Sequence, residues 1–196
     1  LLQSRCYNTK RPNDMKKIRH NFNKGIKLHL ACENNLLRPV MNCIYFKDGY
    51  AIASNGMILI KACLNEICNF REEEKELLDG KLISAKNFKG IIKHNIIEIE
   101  EDGFHAIYDD WDIKYRFANI DSKYPNYNEV ISQFKPGFAE KVLIDPLNIE
   151  LIADALNARK GIRFHFPKDD GKGIKITFPD KELSLSEALL MPKLEY

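Results

Sequence analysis

The sequence has no long apolar run and no excess of one charge. Nothing in its 196 residues approaches the roughly 18 consecutive apolar residues that a membrane-spanning helix needs. The net charge is +2, so any contact with nucleic acid must come from a local basic surface rather than from the whole molecule. The first residues also lack the apolar stretch of a secretory signal peptide. We therefore expect a cytoplasmic protein with no membrane partner.

The cysteines show no metal-binding or disulfide pattern. Cys63 and Cys68 lie five positions apart, but no second pair and no matching histidines follow them. An odd number of dispersed cysteines is typical of reduced thiols, and buried cysteine is favoured over a zinc site. The five residues are Cys6, Cys32, Cys43, Cys63 and Cys68.

Motifs of catalysis are also missing. The sequence contains no Gly-x-Ser-x-Gly motif, no phosphate-binding loop and no His-Glu-x-x-His pattern among its five histidines. Asp109, Asp110 and Asp112 surround Trp111 and suit a divalent metal, as in a nuclease. However, Asp109-Asp110 falls where a hairpin requires a turn, which explains these residues more simply. We expect no enzyme activity and no cofactor, and keep a metal-dependent nuclease as the least favoured alternative.

The start of the chain is basic. Residues 1–27 contain eight lysines and arginines but a single acidic residue, Asp14. One interpretation is an arm, residues 1–21, that contacts nucleic-acid phosphates; the other is a solvated terminus. The basic residues are Arg5, Lys10, Arg11, Lys16, Lys17, Arg19, Lys24 and Lys27.

The next segment predicts an antiparallel meander. Residues 40–46, 50–54 and 57–62 are rich in strand-forming residues, and Asp48-Gly49 and Asn55-Gly56 supply the tight turns between them. Before the meander, residues 22–32 fit either a strand or one face of a helix, and we favour a strand.

Two later segments repeat one order of elements. The first has a strand at 82–84, a helix at 85–93 capped by Ser84, and three strands between 96 and 120. The second has a strand at 141–144, a helix from Pro146 to Arg159 closed by Gly161, and strands at 162–166, 174–178 and 187–194.

This repetition predicts an α+β protein of strand–helix–antiparallel meander units. We divide it into a basic arm at 1–21, a first domain at 22–131 and a second, reduced unit at 132–196.

Several phrases along the chain resemble the DNA sliding clamps, the bacterial β-subunit type of DNA polymerase processivity factor. Arg-Pro-Val-Met-Asn at 38–42 matches the entry into a clamp hairpin, and Ala-Ser-Asn at 53–55 matches the turn that follows. Ser-Ala-Lys at 84–86 matches the start of a clamp helix, and Tyr-Pro-Asn-Tyr at 124–127 matches the close of a domain. Leu-Met-Pro-Lys-Leu at 190–194 matches the C-terminal strand. The same order of all five phrases supports the resemblance, to a shortened or divergent clamp.

The resemblance implies a non-catalytic protein of DNA replication or repair that binds duplex DNA through phosphates, without reading sequence. It further implies peptide partners from polymerases or repair proteins, and a possible homo-oligomer. A clamp-like peptide-binding module without DNA binding is the alternative.

The resemblance also assigns sites. Its DNA-contacting positions are Lys86, Lys89, Lys93, Asn157, Arg159 and Lys160. Its peptide-pocket positions are Met191, Pro192 and Leu194. The simpler alternative is that the lysines solvate an exposed helix face, that Arg159 and Lys160 offset a helix dipole, and that 191–194 end an ordinary strand.

Overall fold

The computed structural model describes residues 19–35, 37–108, 111–138, 142–168 and 172–193. The strands are β1 (Cys43–Lys47), β2 (Tyr50–Ser54), β3 (Ile58–Cys63), β4 (Leu82–Ser84), β5 (Ile97–Glu100), β6 (Gly103–Ile107), β7 (Asp112–Arg116), β8 (Arg163–His165), β9 (Ile174–Thr177) and β10 (Glu187–Leu190). The α-helices are α1 (Leu64–Ile67), α2 (Glu72–Glu76), α3 (Ala85–Ile91), α4 (Tyr127–Ser132) and α5 (Pro146–Ala155), and 3-10 helices lie at Leu28–Ala31, Pro39–Asn42 and Lys181–Leu183. Within these ranges, no helix is both long and apolar enough to cross a membrane.

A seven-stranded antiparallel sheet forms the larger layer. Its order is β4-β1-β2-β3-β10-β9-β8, so the first meander and the last three strands share one sheet. The join is the β3–β10 pair, in which Ile60 lies opposite Ala188. The sheet therefore crosses the predicted division between residues 131 and 132.

The smaller sheet is the antiparallel meander β5-β6-β7. On its β5 side, the amide of Ile97 donates a hydrogen bond to the carbonyl oxygen of His20 at 2.9 Å. Residues 19–21, the end of the predicted basic arm, thus lie against this sheet, and the rest of the arm falls outside the described residues. Together the helices and antiparallel sheets confirm the predicted α+β fold.

Aromatic side chains fill the core between the sheets. Phe22 is fully buried, and its ring lies 5.0–6.5 Å from the rings of four other phenylalanines. These are Phe46 from β1, Phe70, Phe88 from α3, and Phe104 from β6. The Phe22 ring therefore contacts side chains from both sheets and from α3.

The predicted β1–β2 turn is confirmed. Asp48 and Gly49 have φ angles of 51° and 78°, the pair of positive values that a two-residue hairpin turn requires. The amide of Asp48 also donates to the Asp79 carboxylate at 2.8 Å, which fixes the turn against the loop before β4.

The strand favoured for residues 22–32 is wrong over 28–31, which form a 3-10 helix. Phe22 makes only an isolated bridge, with Cys68. Leu28 and Ala31 are buried, and the 3-10 helix packs against both α3 and α5. Tertiary packing between two helices decides this conformation, and the local alternation of apolar residues does not reveal it.

The region after residue 120 differs most from the prediction. Helix α4 was not predicted, although Asn126 caps it by accepting a hydrogen bond from the amide of Glu129. Residues 142–144 form no strand, and Lys141 lies outside the described residues. Helix α5 begins at Pro146 with Asp145 as its cap, as predicted. It ends at Ala155 because Asn157, with φ 51°, takes the left-handed position expected of Gly161.

Candidate nucleic-acid interface

Helix α3 presents the three predicted lysines on its exposed side. The hydroxyl of Ser84 accepts a hydrogen bond from the amide of Asn87 at 3.2 Å, which caps the helix start. Phe88 and Ile91 are buried on the inner side, while Lys86, Lys89 and Lys93 are exposed. The helix ends at Ile91 rather than at Lys93, whose amide continues the turn by donating to the carbonyl of Gly90.

A groove lies between α3 and the segment before the 3-10 helix Leu28–Ala31. Its volume is about 530 Å³. Four lysines line it, together with His29, Leu30 and Ile92. The lysines of the groove are Lys24, Lys27, Lys89 and Lys93. With Lys86 from the same helix, they form the surface that we call the lysine face.

The lysine face carries no compensating acid. In the part of the chain that the structure describes, no carboxylate oxygen lies within 4.0 Å of any of its five ammonium groups. By contrast, Lys47, Lys114 and Lys175 each pair with a carboxylate. The face is therefore a local concentration of positive charge on a chain that is nearly neutral overall.

Two histidines respond to this charge. Burial is the largest cause that lowers the pKa of His29 below its usual value of 6.5. The positive charges of Lys89, Lys27 and Lys93 lower it further. Burial also lowers the pKa of His94, and the positive charges of Lys24 and Lys93 add to this effect. Both imidazoles are therefore neutral at pH 7, and the positive potential extends from the groove to the turn after α3.

Two tyrosines hold His94 in place. Its Nε2 lies 2.7 Å from the hydroxyl of Tyr115, and its Nδ1 contacts the hydroxyl of Tyr108. Tyr115 reaches this position because residue 90 is glycine: a Cβ there would lie 2.5 Å from the Tyr115 ring. This packing fixes the end of α3, and with it the position of Lys93.

Acidification is expected to destabilise the fold through these histidines. A group whose pKa is lower in the folded state contributes stability that is complete above its unfolded pKa, near 6.5, and is lost as pH falls through the folded value. The thermal midpoint should therefore decrease between pH 7 and pH 5, before most carboxylates titrate. In His94→Gln the decrease should be smaller, as scanning calorimetry at constant ionic strength would show. An equal decrease in both proteins would contradict this role of His94.

The second predicted group of DNA-contacting residues is only partly brought to the lysine face. Asn157 lies against Gly25, where a Cβ would come within 2.6 Å of its amide nitrogen. The amide of Lys27 also donates to the carbonyl of Ala155 at the end of α5. However, Arg159 pairs with Asp154 at 3.1 Å and Lys160 pairs with Asp180 at 3.1 Å. Their charges are thus partnered, unlike those of the lysine face.

Two lysines of the groove were not among the predicted site residues. Lys24 and Lys27 were read only as part of the basic stretch 1–27. The available signal was that stretch itself, but nothing local shows that it folds back against α3. Lys24 and Lys27 are held beside α3 by the hydrogen bond from the Lys27 amide to the Ala155 carbonyl and by the buried side chain of Leu28.

A second cavity, of about 240 Å³, lies at the end of β10. Met191, one of the three residues assigned to a peptide pocket, lines it together with Leu189 and with Val130, Gln133 and Phe134 from α4 and the residues that follow it. Lys172 and Gly173 complete the lining. Pro192 is half-buried next to Met191 but does not line the cavity, and Leu194 lies outside the described residues.

The acidic stretch around Trp111 is only partly described. Asp109 and Asp110 lie outside the described residues, and the carboxylate of Asp112 contacts Nε2 of His105. Among the residues with described positions, no three His, Cys, Asp or Glu side chains come together as metal ligands. Cys32, Cys43, Cys63 and Cys68 are free thiols. Burial raises the pKa of Cys32 to about 12 and that of Cys43 to about 11, so both stay protonated.

No protein-family model and no curated protein sequence matches the chain. Solved structures do match. The DNA polymerase sliding clamp from Bacillus subtilis is 13% identical, with a TM-score of 0.60 over 97% of this chain and 68% of the clamp. The sliding clamp from Bartonella birtlesii, bound to griselimycin, is 12% identical, with a TM-score of 0.59 over 90% and 66% of the two chains. DNA polymerase III subunit beta from Borrelia burgdorferi is 13% identical, with a TM-score of 0.57 over 95% and 67%.

These matches extend over nearly all of this chain but only about two thirds of each clamp. The resemblance of the five sequence phrases and the likeness of the structures agree. The chain has the fold of the bacterial DNA sliding clamps over about two thirds of their length, at 12–13% identity.

Proposed function

We propose that this chain is a non-catalytic, clamp-like protein that binds duplex DNA and tethers other proteins of replication or repair to it. The observation that carries the proposal is the lysine face, whose five ammonium groups have no carboxylate partner among the described residues, on a scaffold with the clamp fold. Lysine ammonium groups bind phosphate as point charges and read no base sequence. Binding to duplex DNA that weakens steeply with added salt is the test, and no binding at low salt would contradict the proposal.

The proposed DNA contact centres on α3 and the groove beside it. Lys86, Lys89 and Lys93 follow each other along one exposed side, and Lys24 and Lys27 extend the charge across the groove. Asn157 belongs to the same surface through its contact with Gly25. Arg159 and Lys160 contribute less, because each must first leave a carboxylate partner. Phosphates of a duplex laid along α3 would replace the missing counter-charges.

We also propose an assembly of two clamp-like units, 22–131 and 132–196, in each chain and of several chains around or along DNA. The order of elements supports two units, because α3 and α5 are each followed by three strands. Among the described strands, β4, β5, β7 and β8 lie at sheet edges, where another copy can pair. Such a homo-oligomer would work in the cytoplasm, where replication proteins act on DNA.

The cavity beside Met191 is proposed to receive short peptides from partner proteins. Val130, Phe134, Leu189 and Met191 give it an apolar surface. A methionine at its edge can adapt to different side chains. The backbone of Met191 is fixed by a hydrogen bond from its amide to the carbonyl of Met57 at 2.9 Å. Binding peptides without DNA is the alternative function, and this same cavity supports it.

Griselimycin provides a probe for the cavity, since it is bound to the clamps from Bartonella birtlesii and Pseudomonas aeruginosa. We expect it to bind this chain, and the change Met191→Asp to weaken binding by about tenfold or more, because a carboxylate loses hydration in an apolar site. Isothermal titration calorimetry would measure both. DNA affinity of this variant should stay unchanged, which makes it the reciprocal control for changes in the lysine face. Equal binding by the wild type and Met191→Asp would contradict the assignment.

A further inference from the structure

A stacked pair of aromatic side chains stands at the tip of the β6–β7 hairpin. The rings of Tyr108 and Trp111 are 3.9 Å apart at their centroids and only 11° from parallel. The amide of Tyr108 donates to the carbonyl of Trp111 at 2.9 Å, so the pair closes the hairpin. Tyr108 covers one face of the Trp111 ring, and Trp111 is still 53% exposed. The exposed part of the indole is the surface that a planar ligand would meet.

This aromatic pair lies next to the lysine face. His94, which follows Lys93 in the chain, contacts the hydroxyl of Tyr108. Lys24 and Lys93 lie close enough to His94 to lower its pKa. The exposed indole and the ammonium groups of the groove are therefore linked through one buried imidazole.

The groove itself has a surface that duplex phosphates do not need. Leu30 and Ile92 line it together with Lys27 and Lys89. Phosphates of a duplex stay in water and gain nothing from an apolar floor. An unpaired nucleotide, by contrast, offers both a phosphate for the lysines and a base for the apolar surface.

Acidic residues near Trp111 act in the opposite sense. Asp112 follows it directly, but its carboxylate contacts the His105 ring. Asp109 and Asp110 precede it in the sequence and lie outside the described residues. Phosphates of a bound strand are therefore assigned to the basic groove, at Lys24 and Lys93, rather than to the acidic sequence around Trp111.

We propose that this surface binds single-stranded nucleic acid: unpaired bases stack on Trp111, and the adjoining phosphates contact Lys24 and Lys93. The proposal rests on the lysine face being a phosphate-binding surface, but it adds a ligand that a duplex-binding surface does not require. Stacking of a base on an aromatic side chain tolerates any base, so the binding has no sequence preference. A junction between double- and single-stranded DNA would occupy both parts of the surface.

Trp111 is the only tryptophan of the chain, so its fluorescence reports on the site directly. We expect oligo(dT) to quench this fluorescence at low salt, because a base stacks on the exposed indole face. An abasic oligonucleotide of the same length, which has the phosphates without the bases, should leave the emission nearly unchanged. Quenching of equal size by both oligonucleotides, or by neither, would overturn the proposal.

Affinity gives an independent measurement with labelled oligo(dT) in fluorescence anisotropy. Trp111→Ala should weaken binding by about 5- to 150-fold, the range for loss of one stacked base. Trp111→Phe keeps an aromatic ring on Tyr108 and should retain most of the affinity. Circular dichroism and the thermal midpoint identify any variant whose hairpin has unfolded. Unchanged affinity in a folded Trp111→Ala would show that the aromatic pair serves only the hairpin.

The outcomes also separate this proposal from duplex binding. Salt-sensitive duplex binding without quenching by oligo(dT) would leave the proposed function and overturn the stacking site. Quenching by oligo(dT) without duplex binding would support the stacking site and contradict the proposed function.

Discussion

Replacing Lys86, Lys89 and Lys93 together by glutamine should reduce the affinity for duplex DNA by roughly 100-fold or more near 0.1 M salt. Each lysine that contacts a phosphate releases about 0.9 of a counterion, so the loss of three removes about 2.7 from the slope of log K against log salt. Glutamine keeps a long polar side chain and a good helix former on α3, so the fold should persist. Fluorescence anisotropy with a short labelled duplex measures the change.

A matched triple variant controls for net charge. Lys123, Lys135 and Lys181 are exposed and, within the described ranges, lie more than 4.0 Å from any carboxylate oxygen. Changing these three to glutamine removes the same total charge away from the groove and should alter affinity only slightly. Equal losses in the two triple variants would mean that bulk charge, and not the lysine face, binds DNA. The α3 variant should also keep its affinity for griselimycin.

Phe22→Ala should lower the free energy of unfolding by about 3–5 kcal/mol, the range for a buried phenylalanine. The Phe22 ring is fully buried, with ring centroids of Phe70 and Phe88 at 5.0 and 5.2 Å. Truncation would leave a cavity between both sheets and α3, where little can collapse to fill it. For a chain of this size, the thermal midpoint should fall by roughly 6–20 °C.

Phe138→Ala is the control, because Phe138 is 88% exposed. Its effect should stay within about 0.5 kcal/mol. Calorimetry or urea unfolding followed by circular dichroism compares the two variants. A small effect of Phe22→Ala would contradict the position of the Phe22 ring in the core.

Elements that depend on neighbouring residues could be predicted from sequence. The turn at Asp48-Gly49 needs two positive φ angles, and the start of α5 needs the Asp145 cap followed by Pro146. Both requirements are local, and both predictions are confirmed. Helix α4 belongs to the same class, since the Asn126 cap and Glu129 are visible in the sequence, but the phrase Tyr-Pro-Asn-Tyr was interpreted only as the close of a domain.

Elements that depend on distant contacts could not be predicted in this way. The 3-10 helix Leu28–Ala31 takes its shape from packing against α3 and α5, which are far away in sequence. The groove follows from that packing, because it brings Lys24 and Lys27 opposite Lys89 and Lys93. The end of α5 depends on Asn157 and its contact with Gly25. The spacing of Lys86, Lys89 and Lys93 on one helix side could thus be predicted from the sequence. The complete lysine face, which also contains Lys24 and Lys27, could not.

The most direct test of DNA binding is the salt dependence of the wild-type affinity for two duplexes of unrelated sequence. If all five lysines contact phosphates, log K should fall linearly with log salt with a slope near about −4.5, a loss of about 500-fold between 50 and 200 mM. Both duplexes should give the same slope and nearly the same affinity. A salt-independent affinity, a strong preference for one sequence, or no binding at 50 mM salt would contradict a clamp-like contact between the lysine face and DNA.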